Sequence, residues 1–297
     1  MVSPGILLVD KPAGLTSHDV VARVRRAFGT RKVGHAGTLD PMATGLLVVG
    51  IEGATRLLTY IVGADKTYET TIRLGATTTT DDAEGDVLVR AEDADLDAVT
   101  AEGIDAGVRA LTGRISQVPS SVSAIKVDGR RAYDRVRAGE DVVLAAREVT
   151  VSRFDVGAAR RVDGAIDLDA VVDCSSGTYI RSLARDLGAG LGVGGHLTAL
   201  RRTKVGSFDV SDAVGIEELD GATPLSPADA ASRVLDVLRV DAADARDLRY
   251  GKRLAGQATR VTGAFAAAVD EDDTLVGVVE KRGDDLKSAM NMPEERR

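Results

Sequence analysis

The sequence predicts an α+β fold, a mixed and largely antiparallel sheet flanked by helices, with a small β-rich domain at its C-terminal end. Three observations carry that prediction. Tyr68, Thr70, Ile72 and Leu74 alternate with polar or charged neighbours, which is the period-2 pattern of a half-buried strand. Val20, Val21, Val24, Ala27 and Phe28 recur at helical spacing. Composition then shifts near residue 238, where a short helix and two apolar strands replace the longer elements. A chain of 297 residues also stands at the length, about 250 to 300 residues, where single cores stop growing. Two domains are therefore expected, 1–237 and 238–297.

Each element follows from local chemistry. Residues 6–9 are a short apolar run, read as a buried strand. Thr16 and Asp19 form a capping-box pair that opens the first helix, and Gly29 stops it. Residues 46–51 form a continuous apolar strand, and the Tyr68 strand follows with its ring toward the covered face. Residues 96–111 suit a helix, whereas 114–138 are polar and basic with few large apolar side chains, which predicts a flexible arm. Residues 149–156 and 166–172 read as neighbouring strands. A helix from Thr178 turns Ile180, Leu183, Ala184 and Leu187 inward. In the small domain, a helix at 242–250 precedes strands at 264–269 and 275–280, joined by the acidic turn 270–273.

Charge is more informative in its distribution than in its sum. Lys and Arg total 38 against 46 Asp and Glu, a net charge of −8 that by itself argues against a polyanionic partner. Residues 81–105 carry ten acids and one arginine, whereas 174–206 carry Arg181, Arg185, Arg201, Arg202 and Lys204 against Asp186 alone. Such segregation permits a basic groove on an acidic protein. The single Cys174 excludes an internal disulfide, and with His18, His35 and His196 scattered it offers no metal-ligand spacing, so no structural metal is expected. No apolar run of about 18 residues and no signal-like N-terminus occurs, which predicts a cytoplasmic protein away from the membrane.

Two motifs are misleading in context. Gly190, Gly192 and Gly195 satisfy the dinucleotide-binding glycine pattern, but they follow a helix instead of opening one. Asp82, Glu84 and Asp86 imitate a calcium loop, yet Val87 stands at the sixth position, which that loop reserves for glycine.

The most informative stretch is Gly34-His35-Ala36-Gly37-Thr38-Leu39-Asp40-Pro41-Met42-Ala43-Thr44-Gly45, a carboxylate between glycine-rich turns with a histidine five residues upstream. Read alone, Asp40-Pro41 suits a helix N-cap followed by proline at the first helical position. It is preceded by Leu7-Leu8-Val9-Asp10-Lys11-Pro12-Ala13-Gly14-Leu15-Thr16-Ser17 and followed by Asp65-Lys66-Thr67-Tyr68-Glu69. Further on come PSSVSAIKVDGRRAY at 119–133, Ser176-Gly177-Thr178-Tyr179-Ile180-Arg181-Ser182, and Leu200-Arg201-Arg202. This ordered series resembles the bacterial tRNA pseudouridine-55 synthases, the TruB family, over about the first two thirds of the chain.

The resemblance implies a pseudouridine synthase fold, a C-terminal PUA-like domain, and a tRNA substrate whose TΨC-loop uridine is isomerised after being flipped out of its stack. It implies Asp40 as the essential carboxylate, acting as a nucleophile or as a base on the ribose, and Arg181 as the cation that keeps it ionised in a pocket. Tyr68 is implied as the ring against the uracil and a candidate acceptor of the C5 proton. Tyr179 and Leu200 are further pocket walls, and His35 supports the space the base vacates. Lys66, Lys126, Arg130 and Arg131 are candidates for phosphate contacts, and Asp82 for holding a loop or the arginine network. No obligate protein partner is evident, and a monomer is expected. Two other classes compete: a tRNA-folding module in which catalysis is secondary, and a paired-carboxylate glycosidase, for which Asp10, Asp19 and Glu52 offer no supporting pattern.

Overall fold

The structure, a computed structural model, describes residues 2–120, the backbone of 126–127 and 130–131, and residues 144–293. Lys126–Val127 pairs antiparallel with Arg130–Arg131. The side chains of Lys126, Arg130 and Arg131, and most of the arm expected at 114–138, lie outside the described residues. Contacts divide the chain into two compact units. Met1–Pro41, Gly45–Ala64 and Lys204–Arg297 form the first, and Met42–Thr44 with Asp65–Thr203 form the second.

In the first unit the strand Gly5–Lys11 runs antiparallel to Thr44–Ile51 and parallel to the short Val214–Gly215, so the sheet is mixed. Val33–Ala36 also pairs antiparallel with Thr44–Ile51. Thr16 and Asp19 close the expected capping box on the helix Ser17–Ala27, and Gly29 follows it at φ +61°. That helix buries Val20, Val21 and Val24 against Leu7, Val9, Leu47 and Val49. Because strand side chains alternate, the opposite face presents Ile6, Leu8, Leu46 and Val48 to a second core.

The C-terminal four-stranded sheet contributes Ala267, Val269, Leu275 and Val278 to that same core. Its order is Asp236–Arg239, Phe265–Val269, Leu275–Arg282, Asp285–Asn291, with the helix Ala242–Arg249 over its other face through Ala245 and Leu248. The two inner strands match the sequence reading. The two outer strands escape it because each buries a single residue and lacks apolar alternation. The boundary expected at 237/238 falls inside the first of them.

The second unit is built on strands in the order Gly195–Val205, Lys66–Leu74, Ala165–Cys174, Arg147–Val156, Gly113–Gln117. Tyr68 stands opposite Val172, and Lys66 opposite Cys174. Alternation places Tyr68, Thr70, Ile72 and Leu74 on the buried face, as the sequence predicts, and adds Lys66 to that face. The helix expected from Thr178 starts at Ile180 and runs to Gly190, burying Ile180, Leu183, Ala184 and Leu187, and also Arg181. The single helix expected at 96–111 is instead Asp93–Asp97 and Ala101–Ala110. Thr100 breaks it by capping the second piece, its hydroxyl accepting from the Gly103 N–H at 3.1 Å. The glycine run at 188–195 serves packing, since a Cβ on Gly188 would meet the Gly194 carbonyl carbon at 2.2 Å. Among the described residues, no helix is long and apolar enough to cross a membrane.

Candidate active site

The expected site residues fall into two groups, one in each unit. In the first, Asp40 sits half-buried in a loop that opens no helix, so the Asp-Pro pair is not an N-cap. The loop is held on both sides of the carboxylate. On one side the Leu39 N–H donates to Ser17 Oγ at 2.9 Å, and the Ser17 hydroxyl donates to the Leu39 carbonyl at 3.2 Å. On the other side the Pro41 carbonyl accepts from the Gly14 N–H at 2.8 Å and from Lys11 Nζ at 3.1 Å.

Lys11 is fully buried, and its ammonium also donates to the carbonyls of Pro12 at 2.9 Å and Leu15 at 2.7 Å. A buried cation is tolerated when its three donors are met, and these carbonyls meet them. Gly14, at φ +82°, supplies the turn that lets the segment double back. The Lys11–Ser17 stretch therefore braces the Asp40 backbone. Lys11→Met keeps the stem but strips three carbonyls of a donor. It is expected to lower the unfolding free energy by about 1–3 kcal/mol, read by urea denaturation. His35, on the strand Val33–Ala36, meets the His18 ring edge-on at a centroid distance of 5.6 Å.

In the second unit, Tyr68 and Lys66 share the covered face of their strand. Burial pushes the Lys66 ammonium down to about 8, and the charge of Arg202 adds to the push. Arg202 is itself 1 % exposed. Burial raises the neighbouring Cys174 thiol to about 11, partly offset by a hydrogen bond with Thr178. Thr70 Oγ1 donates to the Ala199 carbonyl at 2.6 Å, tying the Tyr68 strand to the segment that carries Leu200, which is buried.

Arg181 is 4 % exposed and lies 3.5 Å from Asp82, itself 3 % exposed. Its Nη1 donates to the Thr80 carbonyl at 2.7 Å and to Ser120 Oγ at 3.4 Å. Asp82 Oδ1 accepts from the Glu84 N–H at 3.1 Å and from the Thr80 hydroxyl. Asp82 thus shapes a loop and pairs with the arginine. One helical turn on, Arg185 joins Asp81 at 3.3 Å and the Val118 carbonyl at 2.8 Å. Tyr179, half-buried, precedes the helix and is bound through its backbone by Gln117. Sequence reasoning gives Lys11, Ser17 and Gln117 no role, and reads Arg202 only as one of the basic residues of 174–206. A lysine closing a strand whose first residues are apolar, Leu7-Leu8-Val9-Asp10-Lys11, is the one local sign.

Residues 25–180 match the TruB family pseudouridylate synthase N-terminal domain, and residues 181–239 match the tRNA pseudouridylate synthase B C-terminal domain. The chain belongs to the TruB family. A tRNA pseudouridine synthase B of Leifsonia xyli subsp. xyli is 61 % identical over 297 residues, covering 99 % of this chain and 98 % of that protein. One from Thermobifida fusca is 59 % identical over 258 residues, 85 % of this chain and 87 % of that protein. Among solved structures, a chain of a Cbf5-Nop10-Gar1 complex aligns with a TM-score of 0.70 at 25 % identity, covering 98 % of this chain and 84 % of that one. A chain of an H/ACA RNP bound to a substrate RNA gives 0.70 at 22 % identity over 98 % of this chain and 85 % of that one, a likeness of fold. The TruB-family assignment favours a synthase over the tRNA-folding module, since the family and these curated relatives carry the synthase name. Its matched segments together span residues 25–239, which include Asp40, Tyr68, Tyr179, Arg181 and Leu200.

Proposed function

We propose that this TruB-family chain isomerises the uridine at position 55 in the TΨC loop of tRNA to pseudouridine. The observation that carries the reading is the bracing of a half-buried aspartate on both sides, through Leu39 and Pro41. A reacting carboxylate must be held in place without being enclosed, and fixing its backbone neighbours does this.

The chemistry breaks the N1–C1′ bond, joins C5 to C1′, and exchanges the C5 proton for one on N1. Substrate and product are isomers, so no oxidant, reductant or cofactor is consumed. Asp40 starts the reaction, either by attacking as a nucleophile or by removing a ribose proton. Arg181 supplies positive charge to the pocket and so favours its carboxylate form. Tyr68 faces the uracil and takes the C5 proton, Tyr179 and Leu200 wall the planar base, and His35 supports the vacated stack. Extrusion of the base costs a few kcal/mol of lost stacking, which these contacts offset.

Lys66, Lys126 and Arg130 contact phosphates and position the RNA. Lys66 makes that contribution testable. Below about 8 it is charged; as pH rises from 7 to 9 it becomes neutral and tRNA affinity is expected to fall. A phosphate beside it would draw the midpoint upward. Lys66→Met should bind more weakly at pH 7 and lose this pH dependence, measured by filter binding at fixed salt. The protein acts in the cytoplasm as a monomer, without an obligate protein partner. The deciding assay is tritium release from unmodified tRNA labelled at uridine C5. Release without free uracil supports the isomerase, whereas free uracil would indicate a glycosidase.

A further inference from the structure

We propose that Gln117 is a positioning residue for Tyr179, setting the direction of that ring in the uridine pocket; this rests on the proposed pocket role of Tyr179. Gln117 ends the strand Gly113–Gln117 and is 2 % exposed. Its side-chain amide pairs with the Tyr179 backbone as a strand partner would. Nε2 donates to the Tyr179 carbonyl at 3.0 Å, and Oε1 accepts from the Tyr179 N–H at 2.8 Å.

Two bonds to one residue restrain both torsions flanking its Cα, and with them the Cα–Cβ direction from which the ring departs. Tyr179 needs such a restraint. It holds the N-cap position of the helix Ile180–Gly190 at φ −105° and ψ 108°, and no side chain caps that helix end. Gln117 supplies order at this junction, and a glutamine suits it because one terminal amide carries both a donor and an acceptor.

The same strand end is joined to the Arg181 network just beyond. Ser120 Oγ donates to the Thr80 carbonyl at 3.4 Å, and the Val118 carbonyl accepts from Arg185. Residues 117, 118 and 120 thus touch the helix start at three points, of which Gln117 alone addresses Tyr179.

The test is a double-mutant cycle on kcat/KM for tritium release, using the full chain, with Gln117→Met, Tyr179→Ala and the pair. Misplacing a pocket group by about 1 Å costs up to about 100-fold, so Gln117→Met is expected to lower kcat/KM by about 10- to 100-fold. It should also leave the double variant no worse than Tyr179→Ala. Losses that multiply in the double variant would mean Gln117 acts elsewhere and overturn the proposal. An unchanged Tyr179→Ala enzyme would instead remove the pocket role of Tyr179, and the proposal with it. Should Gln117→Met fail to fold, Gln117→Asn enters the same cycle. It keeps the amide but is one methylene too short to hold both bonds, and the same outcomes decide.

Discussion

Asp40→Asn is expected to abolish tritium release, by about 10,000-fold or more in kcat, while tRNA binding stays within a few-fold of the unaltered protein. The two side chains have nearly the same size, and the loop is held through the backbone of Leu39 and Pro41, so the local structure should survive. Only the charge and the reacting oxygen are lost. An amide is neither a competent nucleophile here nor a base, whichever route the reaction takes. Binding depends mainly on phosphate contacts elsewhere and on stacking, which the substitution leaves in place. Single-turnover tritium release and filter binding on the same preparation check both halves. Substantial turnover by the asparagine variant would remove Asp40 from the chemistry.

Arg181→Met should have the largest effect on stability and a second large effect on turnover. Arg181 and Asp82 form a buried pair 3.5 Å apart. Removing one partner of such a pair leaves an uncompensated buried charge and costs about 3–5 kcal/mol, to be read from urea denaturation. The Thr80 carbonyl and Ser120 hydroxyl lose their donor as well. Adding Asp82→Asn separates the two roles. Asparagine keeps an oxygen for the Glu84 N–H and the Thr80 hydroxyl but brings no charge, so much of the stability should return. Turnover should not return if Arg181 has the proposed catalytic role, because its positive charge is still missing. If the double variant regains both, Arg181 is a structural residue and its catalytic assignment fails. Lysine at 181 should rescue only in part, since one ammonium cannot reproduce the geometry of a guanidinium.

Legibility varied with the range of the interactions involved. The Thr16–Asp19 box, the first helix and the alternation from Tyr68 to Leu74 all follow from neighbours within a few residues, and the structure matches each. The helix at 96–111 was misread because Thr100 competes for the backbone, a choice its apolar spacing conceals. The C-terminal edge strands were missed because an exposed edge leaves no apolar signature. Sequence reading places Arg202 in a basic segment and gives Lys11 no role. Burial distinguishes them, and burial is conferred by segments distant in sequence.

Residue order and pattern alone carry the family, the α+β class, the inward faces of the first helix, the Tyr68 strand and the helix at Ile180, and the identity of the acid, ring and arginine proposed for the chemistry. Periodicity, caps and ordered motifs are local properties, written in residues a few positions apart. The tertiary structure alone decided that Lys11 and Ser17 brace the residues beside Asp40, that Arg181 pairs with Asp82, and that Gln117 binds Tyr179. These contacts join residues 22 to 99 positions apart or, for Lys11, 30. Their partners are selected by how the strands pair and the helices dock, a choice that no local pattern encodes.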